Sequence, residues 1–290
     1  MITFPCCKIN LGLNVVARRT DGYHDLETVF YPIPLTDALS IKKMDEDFPS
    51  ATPCDLKVTF PVDNMDEKQK KLLTALDEEK NLVVKAYRLL AEDYSLPRIH
   101  IHLCKRIPSQ AGLGGGSADA AFMIRMLDER FRLNMGNAEM ERYAARLGAD
   151  CAFFITAEPA FATGIGDVLE PADKETGNLS GYYIAIVKPD IAISTAEAFA
   201  GITPQKPRKC CKEIVRQPID TWKEELTNDF EAPIFAKHPE IAQRKQTLYE
   251  LGAAYAQMSG SGSAVYGIFR NRPEGIDKLF CNDFTAVLPL

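Results

Sequence analysis

Pro108-Ser109-Gln110-Ala111-Gly112-Leu113-Gly114-Gly115-Gly116-Ser117-Ala118-Asp119 carries the densest chemical signal in this chain: four glycines in five positions, followed by an alanine-rich, helix-favouring run. Glycine permits positive φ and lets a ligand approach the main chain. A helix beginning near Ser117 would turn unpaired N–H groups back into the loop, which suits an anion and above all phosphate. Three familiar patterns do not fit. No lysine follows the glycines, as a P-loop requires. The dinucleotide fingerprint G-x-G-x-x-G ends on Ser117 counted from Gly112, and on Asp119 counted from Gly114. The nucleophile elbow G-x-S-x-G has Asp119 where its second glycine belongs. The stretch reads as a phosphate loop of another kind; a plain strand-to-helix turn does not need four glycines.

Other chemistry-bearing residues are scattered. Lys8 and Asn10 lie on an apolar/polar alternating run, and Tyr23-His24 follows the Asp21-Gly22 turn signal. Taken singly, each reads as a solvated lysine or an ordinary surface turn. Asp150 stands between the end of a helical pattern and the apolar run Cys151–Ile155. An acid entering apolar surroundings is costly unless partnered, so it suits either a functional pairing or a capping turn. His100 and His102 share one strand face without a third ligand nearby, which favours an exposed face over a metal site. A second loop, Met258-Ser259-Gly260-Ser261-Gly262-Ser263, runs into an apolar strand; its hydroxyls suit a polyphosphate, and its alternative is a flexible turn.

The elements that must position these groups follow from periodicity. Ile9–Val16 and Leu26–Ile33 read as strands, the second ended by Pro32 and Pro34. Short strands are expected at 40–43 and 56–60. A helix capped by Asn81 is expected over 81–91. The strand expected at 98–104 carries Ile99, Ile101 and Leu103 on one face, and a helix is expected from Ser117 to about Phe131. Another begins at Asn137, with Met140, Tyr143, Ala144 and Leu147 on one face and Gly148 at its end. Residues 161–170 read as two short strands about a glycine turn, and 182–188 as an apolar strand. A helix is capped by Ser194 or Thr195, 203–208 is a loop, and helical stretches fall near Glu213, at 221–230 and at 239–251. The charged stretch 63–80, with Lys68-Gln69-Lys70-Lys71, reads as a solvated face or mobile loop.

With 290 residues, 46% hydrophobic and 26% charged, the chain has the makings of one large or two moderate globular domains. A net charge of −6 disfavours a nucleic-acid or membrane-surface protein. Eight cysteines without a C-x-x-C support neither a zinc site nor a redox motif. No signal peptide or membrane span is legible, so a reduced, cytoplasmic protein is expected.

In order along the chain, KINLGLNV, RRTDGYHDLETVF, NLVVKA, IPSQAGLGGGSADAA, LGADCAFF, FATGIGDVLEP and MSGSGSAVYGIF resemble the motifs of the GHMP small-molecule kinase superfamily. DGYH with LETVF and LGAD resembles, more narrowly, the branch that acts on a diphosphocytidyl methylerythritol. The resemblance implies a two-domain α/β (α+β) fold, divided at 1–157 and 158–290, with the active site in the interdomain cleft. It implies ATP as phosphoryl donor, Mg²⁺ accompanying it, and a 2-hydroxyl acceptor in non-mevalonate isoprenoid precursor synthesis. Asp150 then matches the catalytic carboxylate and Lys8 its cationic neighbour. Pro108 to Ser117 match the ATP loop, with Asn81 and Lys105 on the nucleotide side. Asn10, Tyr23 and His24 match substrate positions, Tyr23 stacking on cytosine and His24 reading its polar edge; Phe199 would form the other half of an aromatic sandwich. No dedicated metal cage is expected, and the partner is a small molecule bound to a monomer or homodimer. The pattern departs from the family after Asp150, where Cys151-Ala152 replaces an apolar residue and proline. Other readings are a homoserine- or mevalonate-type kinase, and a non-catalytic nucleotide-binding regulator on the same fold; the failed fingerprint disfavours a nicotinamide dehydrogenase.

Overall fold

The computed structural model describes residues 1–49, 51–61, 78–173 and 176–290. The expectation of a charged face at 63–80 falls almost entirely outside them. The chain forms two compact units. One comprises Met1–Cys7, Leu35–Ile107 and Gly114–Ala157; the other comprises Lys8–Pro34, Pro108–Leu113 and Glu158–Leu290. Lys8–Pro34 and Pro108–Leu113 thus group with the later residues in the second unit.

The first unit is built on a four-stranded sheet ordered β1 (Ile2–Thr3), β4 (Ala38–Lys43), β6 (Ile99–Cys104) and β5 (Cys54–Thr59). β6 runs antiparallel to β4 and parallel to β5. Its alternation works as expected: Ile99, Ile101 and Leu103 are buried. His100 faces the other way, its Nδ1 2.7 Å from Asp55 Oδ1, and His102 Nε2 lies 2.9 Å from Thr59 Oγ1. No metal-binding cluster of three or more ligands exists among the described residues. Among the described residues the unit also holds the α-helices α1 (Leu82–Ala91), α2 (Gly115–Phe131), α3 (Asn137–Ala145) and α4 (Phe153–Thr156). Asn81 caps α1, its side chain accepting from Val83 N at 3.0 Å. α1 packs on α2, and Val83, Ala86 and Leu90 are among its buried residues.

The second unit holds two four-stranded sheets. One has the order β2 (Cys6–Arg18), β3 (His24–Thr36), β7 (Ala160–Thr163), β8 (Val168–Pro171). The other has the order β10 (Tyr255–Met258), β11 (Val265–Phe269), β9 (Tyr183–Lys188), β12 (Phe284–Pro289), antiparallel throughout. β3 runs past Pro32 and Pro34, which the sequence reading took as its end. Its pairing with β7 covers only Thr28–Phe30, so beyond that point prolines sit where that ladder asks for no N–H. The helices are α5 (Thr195–Ala200), α6 (Cys211–Ile214), α7 (Trp222–Glu225), α8 (Glu231–Lys237), α9 (Pro239–Glu250) and α10 (Ile276–Leu279). Ser194 is the cap of α5, accepting from Glu197 N at 3.1 Å. The helix expected over 221–230 stops at Glu225 because the next residues bond to β2 instead: Leu13 N donates to Thr227 O and Asp229 N to Leu13 O. A core of Leu13, Val15, Val187, Ala198, Ile234, Leu248, Met258 and Val265 joins these helices to the second sheet.

Candidate active site

The glycine stretch is a chain of left-handed turns. Gln110, Gly112 and Gly114 have φ of 50°, 74° and 69°. Left-handed residues that alternate with others aim successive N–H groups to one side, a concavity for anions. α2 begins at Gly115, two residues before the expected Ser117, with Gly114 as its cap and no side-chain hydrogen bond to cap it. Its first-turn N–H groups thus have no capping side chain, as an anion site requires. A Cβ at Gly115 would lie 2.8 Å from Ile107 Cγ2, whereas one at Gly116 meets nothing closer than Leu82 Cδ1 at 3.7 Å. Gly115 is demanded by packing; Gly116 leaves the exposed surface of the turn bare.

In the second unit, the front of the loop is braced by the serine–glycine turn. Ser259 Oγ donates to Gly112 O at 2.9 Å and Ala264 N to Ala111 O at 3.2 Å. A Cβ at Gly112 would fall 1.9 Å from Ser259 O, so only glycine lets the two backbones touch. Ser263 Oγ donates to Ile191 O at 2.5 Å. Ser259 and Ser263 are fully buried. This corrects the expectation that the serine hydroxyls serve a polyphosphate: two of the three are consumed in holding the fold. Asn228 Nδ2 fixes the turn from below, donating to Met258 O and Gly260 O, each at 2.8 Å.

Lys8 is 3% exposed and its ammonium is held in place. It donates to Asn10 Oδ1 at 2.7 Å and to Gly112 O at 3.1 Å, and lies 4.9 Å from the centre of the Phe30 ring. Asn10 Nδ2 donates to Thr28 Oγ1 at 2.9 Å, and Thr28 Oγ1 to Gly12 O at 2.5 Å. Tyr266 OH donates to Asn10 O at 2.7 Å. The solvated-lysine reading is therefore wrong: β2 and β3 present a buried cation tied directly to the glycine loop. His24 and Phe199 are also brought together, their rings stacked at 4.7 Å and 19°. Phe199 in turn packs edge-on to Phe230. Tyr23, 62% exposed, stands outside that stack.

In the first unit, Asp150 sits half-buried in the turn that joins α3 to α4. Cys151, fully buried, hydrogen-bonds Ser117 on the first turn of α2, and its N–H donates to Gly148 O at 3.1 Å. The Asp150 turn is thereby fastened to the start of α2 by the residue at which the sequence departs from the family pattern. Burial pushes the Cys151 thiol up to about 11, with the Ser117 bond opposing. Lys105, expected on the nucleotide side, is paired with two carboxylates. Its ammonium lies between Asp37 and Asp119, 2.7 Å from Asp119 Oδ2, and faces these carboxylates from behind Gly115. Burial opposes its charge, but the two carboxylates prevail and hold its pKa above the usual lysine value. Asp37 Oδ1 accepts from Arg106 N and from Ile107 N at 2.8 Å. Sequence reading missed Thr28, Asp37, Asp119 and Asn228. Only Asp119 left a trace, as a charge within the otherwise apolar run Ala118–Ile124.

A loop of left-handed residues leads into a helix start without a side-chain cap in an α/β protein, a backbone arrangement suited to an anion. The GHMP kinase N-terminal domain model matches residues 81–158, and the GHMP kinase C-terminal model matches 211–280. A protein of Bacteroides fragilis named 4-diphosphocytidyl-2-C-methyl-D-erythritol kinase is 50% identical over 286 residues, spanning 99% of this chain and 97% of its own. A solved 4-(cytidine 5'-diphospho)-2C-methyl-D-erythritol kinase covers 100% of both chains with a TM-score of 0.77 at 27% identity. The mevalonate kinase of Methanococcus jannaschii covers 100% of this chain and 98% of its own with a TM-score of 0.67; at 13% identity it shows the fold alone. The chain belongs to the 4-diphosphocytidyl-2-C-methyl-D-erythritol kinase family of the GHMP kinases, and it is an ATP-dependent small-molecule kinase.

Proposed function

We propose that the chain transfers the γ-phosphoryl group of MgATP to the 2-hydroxyl of 4-diphosphocytidyl-2-C-methyl-D-erythritol, giving the 2-phosphate and ADP in the non-mevalonate route to isoprenoid precursors. The observation that carries the reading is the uncapped first turn of α2 at the end of the left-handed loop. Near-full-length identity to kinases of that name supports the choice of acceptor.

Phosphoryl transfer asks mainly for positioning and for stabilisation of charge. The backbone N–H groups of Gly112 to Ser117 receive the phosphates, and Mg²⁺ enters with the nucleotide as part of the substrate. Lys8 supplies a fixed cation for incoming charge; its bonds to Asn10 and Gly112 O remove the reorganisation a free lysine would need. Asp150 orients or takes the proton of the acceptor hydroxyl, a contribution of ~10²–10⁴-fold for positioned acid–base groups. Asn10, Tyr23, His24 and Phe199 receive the cytidine end. A cytosine offers a π face to an aromatic ring and a hydrogen-bonding edge to an imidazole, which homoserine and mevalonate do not. Asn81 uses its carbonyl oxygen to cap α1, leaving its amide N–H groups for the nucleotide. Lys105 acts on the nucleotide from behind α2 and not by direct contact. All eight cysteines are free thiols, which fits a reducing cytoplasm.

The test is a substrate panel. ADP release from MgATP is followed with the diphosphocytidyl alcohol, with homoserine and with mevalonate. Turnover confined to the first compound is expected. Faster turnover of either other alcohol would replace the proposed acceptor, and ATP binding without turnover of any would favour the regulator.

A further inference from the structure

Behind the first turn of α2 lies a group of charges of which the phosphoryl-transfer scheme uses only Lys105. Lys105 stands between two carboxylates, Asp37 and Asp119. Asp37 is fully buried and has both oxygens engaged, one by Lys105 and the other by two backbone N–H groups. Asp119 is 2% exposed; Oδ2 takes the Lys105 bond at 2.7 Å, while Oδ1 is buried with no hydrogen-bond partner among the described residues. One ammonium neutralises one carboxylate, so with both acids ionised the cluster carries a surplus negative charge. Among the described residues no second donor meets Asp119, and two buried carboxylates that share one ammonium cannot both be fully compensated as anions. The charged groups facing Asp119 are Lys105, from the end of β6, and Asp37, from the turn before β4. α1, packed beside α2, contributes apolar side chains and Tyr87, whose hydroxyl is taken up by Pro97 O.

The surplus charge sits where it matters. Asp119 is the fifth residue of α2, roughly 6 Å along the axis from Gly115 at 1.5 Å per residue. Lys105 Nζ would be 3.4 Å from a Cβ at Gly115. An anion held by the first turn relies on the partial positive charge of the helix start. A carboxylate one turn inside, screened by little water, works against it.

We propose, resting on the reading of this turn as the nucleotide site, that Asp119 is a positioning residue whose protonation favours nucleotide binding: neutral, it leaves Lys105 balanced by Asp37 alone, and its ionisation weakens the hold on the phosphates. Burial pushes the Asp119 carboxyl up to about 7, Lys105 only partly offsetting it and Asp37 adding to it, so the change falls in the physiological range.

The experiment compares the Kd for MgATP in the wild type and in Asp119→Asn at several values between pH 6 and pH 8.5. The nucleotide's own terminal phosphate titrates in both proteins, so the ratio of the two constants is the readout. The ratio of wild-type to variant Kd is expected to rise about tenfold across the range, the effect of a one-unit shift in one coupled proton. A ratio that is constant with pH overturns the inference, because a merely structural role changes affinity without a pH term. Should the variant not fold, carboxyl ¹³C NMR of aspartate-labelled wild type decides. An aspartate titrating near neutrality, with its midpoint raised by saturating nucleotide, supports the proposal. The absence of such an aspartate, or a midpoint that ignores nucleotide, overturns it. Absence of nucleotide binding at every pH would sink the kinase reading and this inference together; turnover with a flat ratio would sink the inference alone.

Discussion

Replacing Gly112 by alanine separates a glycine required by the fold from one required by the ligand. At Gly112 the backbone is left-handed, φ 74°, and a Cβ would be 1.9 Å from Ser259 O. The conformation alone costs a non-glycine residue ~1–2 kcal/mol. The overlap is with backbone, not with the end of a flexible side chain, so the loop or the serine–glycine turn must move; such overpacking typically costs ~1–3 kcal/mol. Gly112→Ala should therefore lose about 2–5 kcal/mol in urea unfolding, together with the Lys8 and Ser259 bonds to Gly112 O. Gly116→Ala is the control. Gly116 is inside α2 and its Cβ has room at 3.7 Å, so stability should hold or rise by up to about 1 kcal/mol. Its methyl group would nonetheless stand on the bare surface of the first turn, and the KM for MgATP should rise. Equilibrium unfolding and initial-rate kinetics on both variants give the answer. A Gly112→Ala protein within ~0.5 kcal/mol of wild type, or a Gly116→Ala protein with unchanged KM, would refute the division of roles.

Tyr23→Ala should leave stability within ~0.5 kcal/mol, since the side chain is 62% exposed, while weakening the cytidine substrate by the ~1–3 kcal/mol of a stacked base; unchanged KM would remove Tyr23 from the site. Asn228→Ala strips donors from Met258 O and Gly260 O and should cost ~2–4 kcal/mol in urea unfolding. Asp119→Asn changes the pH dependence of stability in a fixed direction. The folded carboxyl is raised to about 7 from 3.8, so its stabilising contribution is complete below the unfolded value and is lost as pH rises toward 7. The stability gap should move in favour of the variant by up to ~1.4 kcal/mol per pH unit over that interval; a gap independent of pH would contradict the assignment.

Local features were legible where the cause is local. Asn81 and Ser194 announce their helices because a short polar side chain before an apolar run has one obvious use. The alternation at Ile99–Leu103 and the glycine loop were readable for the same reason. What escaped depends on partners distant in the chain. The helical reading of 226–230 failed because Leu13, more than 200 residues earlier, takes the backbone bonds instead. Ser259 and Ser263 of the second loop look like phosphate ligands until Gly112 O and Ile191 O are seen to receive them. Lys8 looks solvated until β2 brings it to Asn10 and Gly112 O. Asp37 gave no signal, since its role exists only once Lys105 and the Arg106–Ile107 backbone surround it.

The central claim is that MgATP phosphorylates the diphosphocytidyl alcohol with Asp150 handling the hydroxyl proton. Purified protein incubated with both compounds, followed by ³¹P NMR beside an Asp150→Asn variant, tests it most directly. A new phosphomonoester signal and ADP are expected in the wild type, with a rate ~10²–10⁴-fold lower in a variant that still binds nucleotide. Phosphorylation by the variant at the wild-type rate, or no phosphomonoester from folded, nucleotide-binding wild type, would contradict it.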